Sequence, residues 1–191
     1  EIETPADIDY FESDQYLKLD MNALRNLELT KSMMTGDKRH SLLWVLDKTK
    51  TPMGRRMIRN WLERPLMSAA QIIKRQNAVG ELADNPELRD KLRNAFSGIS
   101  DMERLMTRIA KKLGKNIYAS ANAKELKSLQ QTVQKLPQIK SLLSGCQSAL
   151  LKDINSGIDP LADIEELVDR AVSDEPPLTV REGGMIKAGF N

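Results

Sequence analysis

The chain has 191 residues, of which 40% are hydrophobic, 29% charged and only 4% aromatic, and it carries a net charge of +2. A chain of this length makes one large domain or two small ones and buries roughly 70% of its unfolded surface, and a Leu, Ile, Val and Met core suits helix packing, which excludes whole-chain disorder. No run approaches the ~18 apolar residues of a membrane span, and the single cysteine, Cys146, excludes an internal disulfide or a cysteine-based zinc site, so a reducing, cytoplasmic setting is expected.

Glu1 stands where a complete chain would carry Met, and Ala188–Asn191 stop inside a patterned segment, so a piece of a longer protein is expected. Residues 1–15 are acidic and weakly patterned and read as a linker. Tyr16–Leu19 reads as a short strand, Asp20 as the N-cap of a brief helix, and Leu27–Leu29 as another strand or an extended segment.

From Ser41 onward the signals are helical. Thr51 before Pro52 predicts a helix start, since proline's missing N–H costs nothing in the first turn. Met53, Met57, Ile58, Trp61 and Leu62 then recur on one face, with Arg55, Arg56 and Arg59 mainly on the other, until Pro65. If that stripe is core, Trp61→Ala destabilises the fold by about 3–5 kcal/mol.

Ser68 with Gln71 predicts a capping box, followed by a stripe of Ile72, Gln76, Val79 and Leu82; Asn85 before Pro86 starts the next helix. Ser100 with Glu103 predicts a second box ahead of Met102, Leu105, Met106, Ile109 and Leu113, closed by Gly114. Leu126, Leu129, Val133 and Leu136 predict a helix stopped by Pro137, and Asp159 before Pro160 predicts a last one bearing Leu161, Ile164, Leu167, Val168 and Ala171. Alternation then returns in Leu178 and Val180, a turn at Glu182-Gly183-Gly184, and Ile186, Ala188 and Phe190, which reads as a β-hairpin. The expected fold class is mainly α, multi-helical, with short strands at the N-terminal end and a C-terminal hairpin.

Charge is polarised. Asp37–Arg64 holds eight basic residues against three acids, a local +5, whereas Asp153–Glu175 holds eight acids against Arg170, a local −7. Few residues suit catalysis. His40 sits in a polar stretch, Cys146 has no histidine near it in sequence, and the spacing of a phosphate-cradling P-loop is absent. Gly183, Gly184 and Gly189 read as turn-makers, and Asp163, Glu165, Glu166 and Asp169 as a solvated helix face. The one site-like feature is basic: Lys50, Arg55, Arg56 and Arg59 either contact phosphates or pair with the acids of the −7 segment. Trp61 lies on the apolar stripe, so it does not interleave with the arginines to stack bases.

The run Leu42, Leu43, Leu46, Asp47, Thr49, Thr51, Pro52, Met53, Gly54, Arg56, Trp61, Leu62, Pro65 and Leu66 resembles the core domain of the MutS mismatch-repair family. In the same order, Asp20 with Asn26–Leu29, then Arg75, Ala78, Val79 and Leu82, then Asp101–Leu105 with Arg108, and finally Arg181–Asn191 resemble further parts of that domain, nearer its bacterial members. Ala23 departs from the pattern, standing where the family usually carries threonine.

The resemblance implies a structural motif at Thr51, Pro52, Gly54, Trp61, Pro65, Asp101, Glu103, Arg104, Gly183 and Gly184. It implies a bacterial, cytoplasmic parent that binds mismatched duplex DNA, hydrolyses ATP with Mg and forms a homodimer. It also implies that residues 1–15 come from a connector domain and that residues 16–191 are core, placed before the lever and clamp. Neither the family's mismatch-reading Phe-x-Glu motif nor its P-loop occurs here, so no catalytic, cofactor or metal site is expected in these residues. Their role would be to couple connector, clamp and ATPase domains through a body whose core is completed by helices returning from the lever. The alternative is a helical nucleic-acid-binding module using the Arg55, Arg56 and Arg59 face.

Overall fold

Side-chain oxygens set where many of the helices begin. The structure, a computed structural model, describes residues 15–115, 123–177 and 182–190. The chain divides into two units, the first taking residues up to Asp47 and Ile58–Ile73, the second Lys48–Met57 and Lys74 onward. The expected linker lies outside the described residues, apart from Gln15.

In the first unit the expected strand at Tyr16 shortens to a single antiparallel bridge with Leu66, flanked by bonds from the Leu17 N–H to the Pro65 carbonyl (2.8 Å) and from the Met67 N–H to the Gln15 carbonyl (3.0 Å). Helix α1 (Met21–Asn26) is capped as expected, the Asp20 carboxylate accepting the Ala23 N–H at 2.6 Å. No strand follows it. Leu27 closes α1 in the right-handed region and Glu28 takes a left-handed φ of 47°, so three alternating residues turn the chain instead of extending it. Leu29 is buried beyond that turn, and its carbonyl accepts the Leu43 N–H at 2.9 Å. Helix α2 (Leu42–Leu46) starts at Ser41, whose fully buried hydroxyl donates to the Lys38 carbonyl (2.7 Å) and accepts the Trp44 N–H (3.2 Å).

Helix α3 (Pro52–Glu63) begins where Thr51 and Pro52 predict, with Thr51 Oγ1 accepting the Gly54 N–H at 3.0 Å. Gly54 permits this closeness: a Cβ there would lie 3.1 Å from Thr51 Oγ1 and 3.4 Å from Thr49 Cβ. The apolar stripe of α3 is not core. None of its residues is buried, and Met57 and Trp61 are 56% and 41% exposed. The spacing that makes a helix amphipathic does not supply the surface that covers it.

Among the described residues, the second unit holds three apolar clusters. Ala78 of α4 (Ala69–Asp84), Leu92 and Ala95 of α5 (Pro86–Ala95), Ile139 and Leu143 of α8 (Leu136–Leu143), Leu151 of α9 (Ala149–Gly157) and Cys146 form the first. Leu105 and Ile109 of α6 (Met102–Lys115) pack with Leu129 and Val133 of α7 (Ala123–Val133), and Ala123, Val168 and Val172 join α7 to α10 (Ala162–Ala171). Val79 of the expected α4 stripe is instead 63% exposed, since the buried Ala78 sets the inward face.

Several boundaries differ from expectation. The caps at Asn85 and Ser68 form, the former accepting the Leu88 N–H at 3.0 Å and the latter the Gln71 N–H at a long 3.5 Å. In α6, however, Asp101 and not Ser100 accepts the Arg104 N–H, at 3.2 Å. Ser100 reaches α7 instead, its N–H donating to Thr132 Oγ1 (3.1 Å) and its hydroxyl meeting Ser128 (2.6 Å). Pro137 does not stop α7, which ends at Val133; it sits in the first turn of α8, where a proline starts a helix as readily as it ends one. Asp159 accepts the Leu161 N–H at 2.9 Å, and α10 starts only after Leu161, held at a φ of 52°, so Pro160 precedes that helix. Residues 178–181, including the first arm of the expected hairpin, lie outside the described residues. Ile186, from the second arm, makes an antiparallel bridge with Val172.

Candidate functional site: a guanidinium between two carboxylates

Arg56 lies in the second turn of α3, and Asp101 and Glu103 stand at the start of α6, about 45 residues along the chain. The guanidinium grips Asp101 with two parallel bonds, Nη1 to Oδ2 at 2.6 Å and Nη2 to Oδ1 at 2.8 Å, the fork geometry that a planar cation offers a carboxylate. Its Nε donates to Glu103 Oε2 at 3.1 Å, and Nη2 donates to the same oxygen. Asp101 is 16% exposed and also caps α6, so one carboxylate ties the arginine to the first turn of that helix.

The electrostatics are those of a closed pair. Hydrogen bonding from Arg56, helped by the Arg104 N–H, holds the Asp101 carboxyl down at about 2 in spite of its burial. Asp101 and then Glu103 raise the Arg56 pKa further, so the guanidinium stays charged. A shallow groove of about 400 Å³ opens beside them, lined by Arg56, Glu103, Arg104, Thr107 and Arg108. Arg104 reaches Asp101 at 3.6 Å and Arg108 pairs with Glu125 at 2.9 Å. The Thr107 hydroxyl in the groove donates to the Glu103 carbonyl at 2.7 Å. The chemistry of the groove is charge pairing between distant chain segments.

A second long-range cap leaves no local signal in the sequence. The Glu81 carboxylate on α4 accepts the N–H groups of Gln147 (2.5 Å) and Ser148 (2.7 Å) just ahead of α9, and these bonds lower its pKa. An acid on one helix face carries no sign of a partner 66 residues away.

Residues 22–188 match the family model of MutS domain III. The chain belongs to this family. It is 45% identical over 179 residues to the DNA mismatch repair protein MutS of Lachnoclostridium phytofermentans, covering 94% of this chain and 18% of that protein. The MutS proteins of Clostridium tetani (45% over 176 residues, 92% of this chain, 19% of that protein) and Clostridium perfringens (40% over 185 residues, 97% and 20%) are similar over comparable spans. The domain III chain thus spans about a fifth of these relatives' length.

Within this MutS domain III chain the basic residues separate. Arg56 is committed to Asp101 and Glu103, and Arg59 pairs with Glu63 one turn on, at 2.8 Å. Lys50 and Arg55 are exposed. The acids that hold Arg56 and Arg59 are not those of the −7 segment, whose Asp153 pairs with Lys74 (2.5 Å) and whose Asp174 meets Lys127 and Lys187. Pro65 contributes its carbonyl to the bridge at Tyr16, and Gly183 and Gly184 take φ values of 70° and 69°, which favour glycine.

His40 is exposed at a φ of 66°, its ring 5.5 Å from that of Trp44. Cys146 is a buried free thiol, pushed up in pKa by that burial. Among the described residues no three His, Cys, Asp or Glu side chains converge to hold a metal ion, and no helix is long and apolar enough to cross a membrane.

Proposed function

We propose that this chain is the structural and allosteric core of a bacterial MutS mismatch-repair protein, coupling regions outside it and catalysing nothing itself. Residues 1–15 lead in from a connector domain, residues 16–191 form the core, and lever, clamp and ATPase domains lie in the rest of the protein. The whole protein is a cytoplasmic homodimer that binds mismatched duplex DNA and hydrolyses ATP with Mg, and this segment holds neither cofactor. The observation that carries the reading is the match over residues 22–188, with 45% identity across 94% of the chain. The bidentate Arg56–Asp101 pair supports the coupling role, because a body that transmits displacement needs distant segments tied together. The exposed Met57 and Trp61 suit a core completed by residues outside this chain.

The test uses the full-length protein. Arg56→Gln and Asp101→Asn each weaken the effect of mismatched duplex on ATP hydrolysis, leaving duplex binding and basal hydrolysis in place, and the double variant loses no more than the more affected single one. Single variants that leave the stimulation intact overturn the coupling role of the pair. The nucleic-acid-module alternative is tested on the 191-residue chain: micromolar duplex binding with a steep salt slope, lost in an Arg55, Arg56 and Arg59 triple alanine variant, decides for it.

A further inference from the structure

Among the described residues, the segment after the last helix is held to the end of α10 by one short stretch of backbone pairing. Val172 and Ile186 form one antiparallel bridge, with the Ser173 N–H donating to the Met185 carbonyl and the Lys187 N–H to the Ala171 carbonyl, both at 2.9 Å. Two such bonds alone belong to the readily opened end of the stability range. Side chains add to them. Asp174 Oδ1 accepts Lys187 Nζ at 3.1 Å and Lys127 Nζ of α7 at 3.2 Å.

Lys127 is well placed for a permanent role, because its side chain is only 14% exposed and Asp174 is the carboxylate it meets among the described residues. It also donates to Oε1 of Gln130 at 3.0 Å. Gln130 is itself 4% exposed, and its Nε2 donates to Asp169 (3.0 Å) and Glu165 (3.4 Å) of α10. Both ends of that amide are therefore used, which fixes its orientation and the position of Lys127 with it. The polar chain runs from α10 through α7 to the departing segment.

We infer that Asp174 is an electrostatic latch: held between Lys127 of α7 and Lys187, it fixes Met185–Lys187 against the end of α10 and is released by ions that compete for the two ammonium groups. Asp174 is 77% exposed, so its pairs are open to salt while Lys127 and Gln130 remain in place. The latch stands or falls independently of the coupling function proposed above, because it concerns only how this chain holds its own end.

Amide hydrogen exchange on the 191-residue chain tests it. In the unaltered chain, exchange at Ser173 and Lys187 quickens as salt is raised. Asp174→Asn accelerates exchange at both sites roughly three- to tenfold after correction for intrinsic rates, and removes the salt dependence. Lys187→Met, which breaks one arm, falls between. Amides of Leu105 and Val133 do not change, which separates release of the latch from general unfolding. Unchanged exchange at Ser173 and Lys187 in Asp174→Asn, or salt dependence that persists in it, overturns the proposal. So does equal acceleration at Leu105 and Val133.

Discussion

The two units spend similar side chains in different ways. Among the described residues, Leu29 and Leu43 are the buried hydrophobics of the first unit, while every apolar cluster belongs to the second. The first unit is held by caps and turns: Asp20 on α1, Ser41 on α2, and Glu28, whose carboxylate accepts the Met33 N–H at 2.5 Å and the Ser32 hydroxyl at 3.2 Å. Its apolar residues remain largely outside, with Met34 95% and Val45 55% exposed. Apolar content alone does not make a core. A segment must also bring a second apolar surface to face the first, as α6 and α7 do for each other, whereas Met57 and Trp61 stay 56% and 41% exposed.

The largest expected effect lies in the second unit. Leu105 is 2% exposed between α6 and α7, and Leu105→Ala leaves a cavity there that costs about 2–5 kcal/mol, read from a denaturant melt. A loss below about 1 kcal/mol would place that cluster outside the cooperative core.

Trp61→Ala sharpens the contrast. With 41% of its surface exposed, the ring loses only part of a full burial, about 1–2 kcal/mol, well short of the 3–5 expected for a core tryptophan. The same substitution in a full-length protein costs more if residues elsewhere cover this face. Equal losses in the two would mean that Trp61 is exposed in both.

Local signals in the sequence were readable because their physics is local. Asp20, Thr51 and Asn85 cap helices at the residues where side chain and following pattern predict, since the bond spans three residues. Pro137 points to the wrong side because proline marks a helix boundary without saying on which side the helix lies, whereas α10 does follow Pro160 and starts just beyond Leu161. Helices α8 and α9 escaped notice: α9 is nine residues long, its start is held by Glu81 from α4, and its N-cap Ser148 makes no side-chain cap bond. The site was half legible. Arg56, Asp101 and Glu103 each belong to stretches that resemble the family, but their pairing crosses about 45 residues and leaves no local trace. Summed charge offers Arg56 the acids of the −7 segment as well as phosphates, but its partners are Asp101 and Glu103, because pairing is decided by position and not by the number of acids in a run.

That pair offers the finest test of what ties the second unit together. Asp101→Asn keeps an oxygen able to cap α6 and removes the negative charge that Arg56 grips, so it isolates the charge from the cap. The Asp101 carboxyl is depressed in the folded chain from an ordinary 3.8 to about 2. A depressed carboxylate stabilises the fold above its unfolded pKa, and the contribution disappears as pH falls through the folded value. The stability gap between the unaltered chain and Asp101→Asn should therefore stay level from neutral pH down to about 4, narrow between about 4 and 2, and vanish below. Arg56 remains charged throughout that window, so its own titration does not enter. Denaturant melts at stepped pH measure the gap. A gap that persists below pH 2 would mean that the asparagine disturbs the start of α6 itself, and that the Arg56 bridge contributes less than the cap it shares.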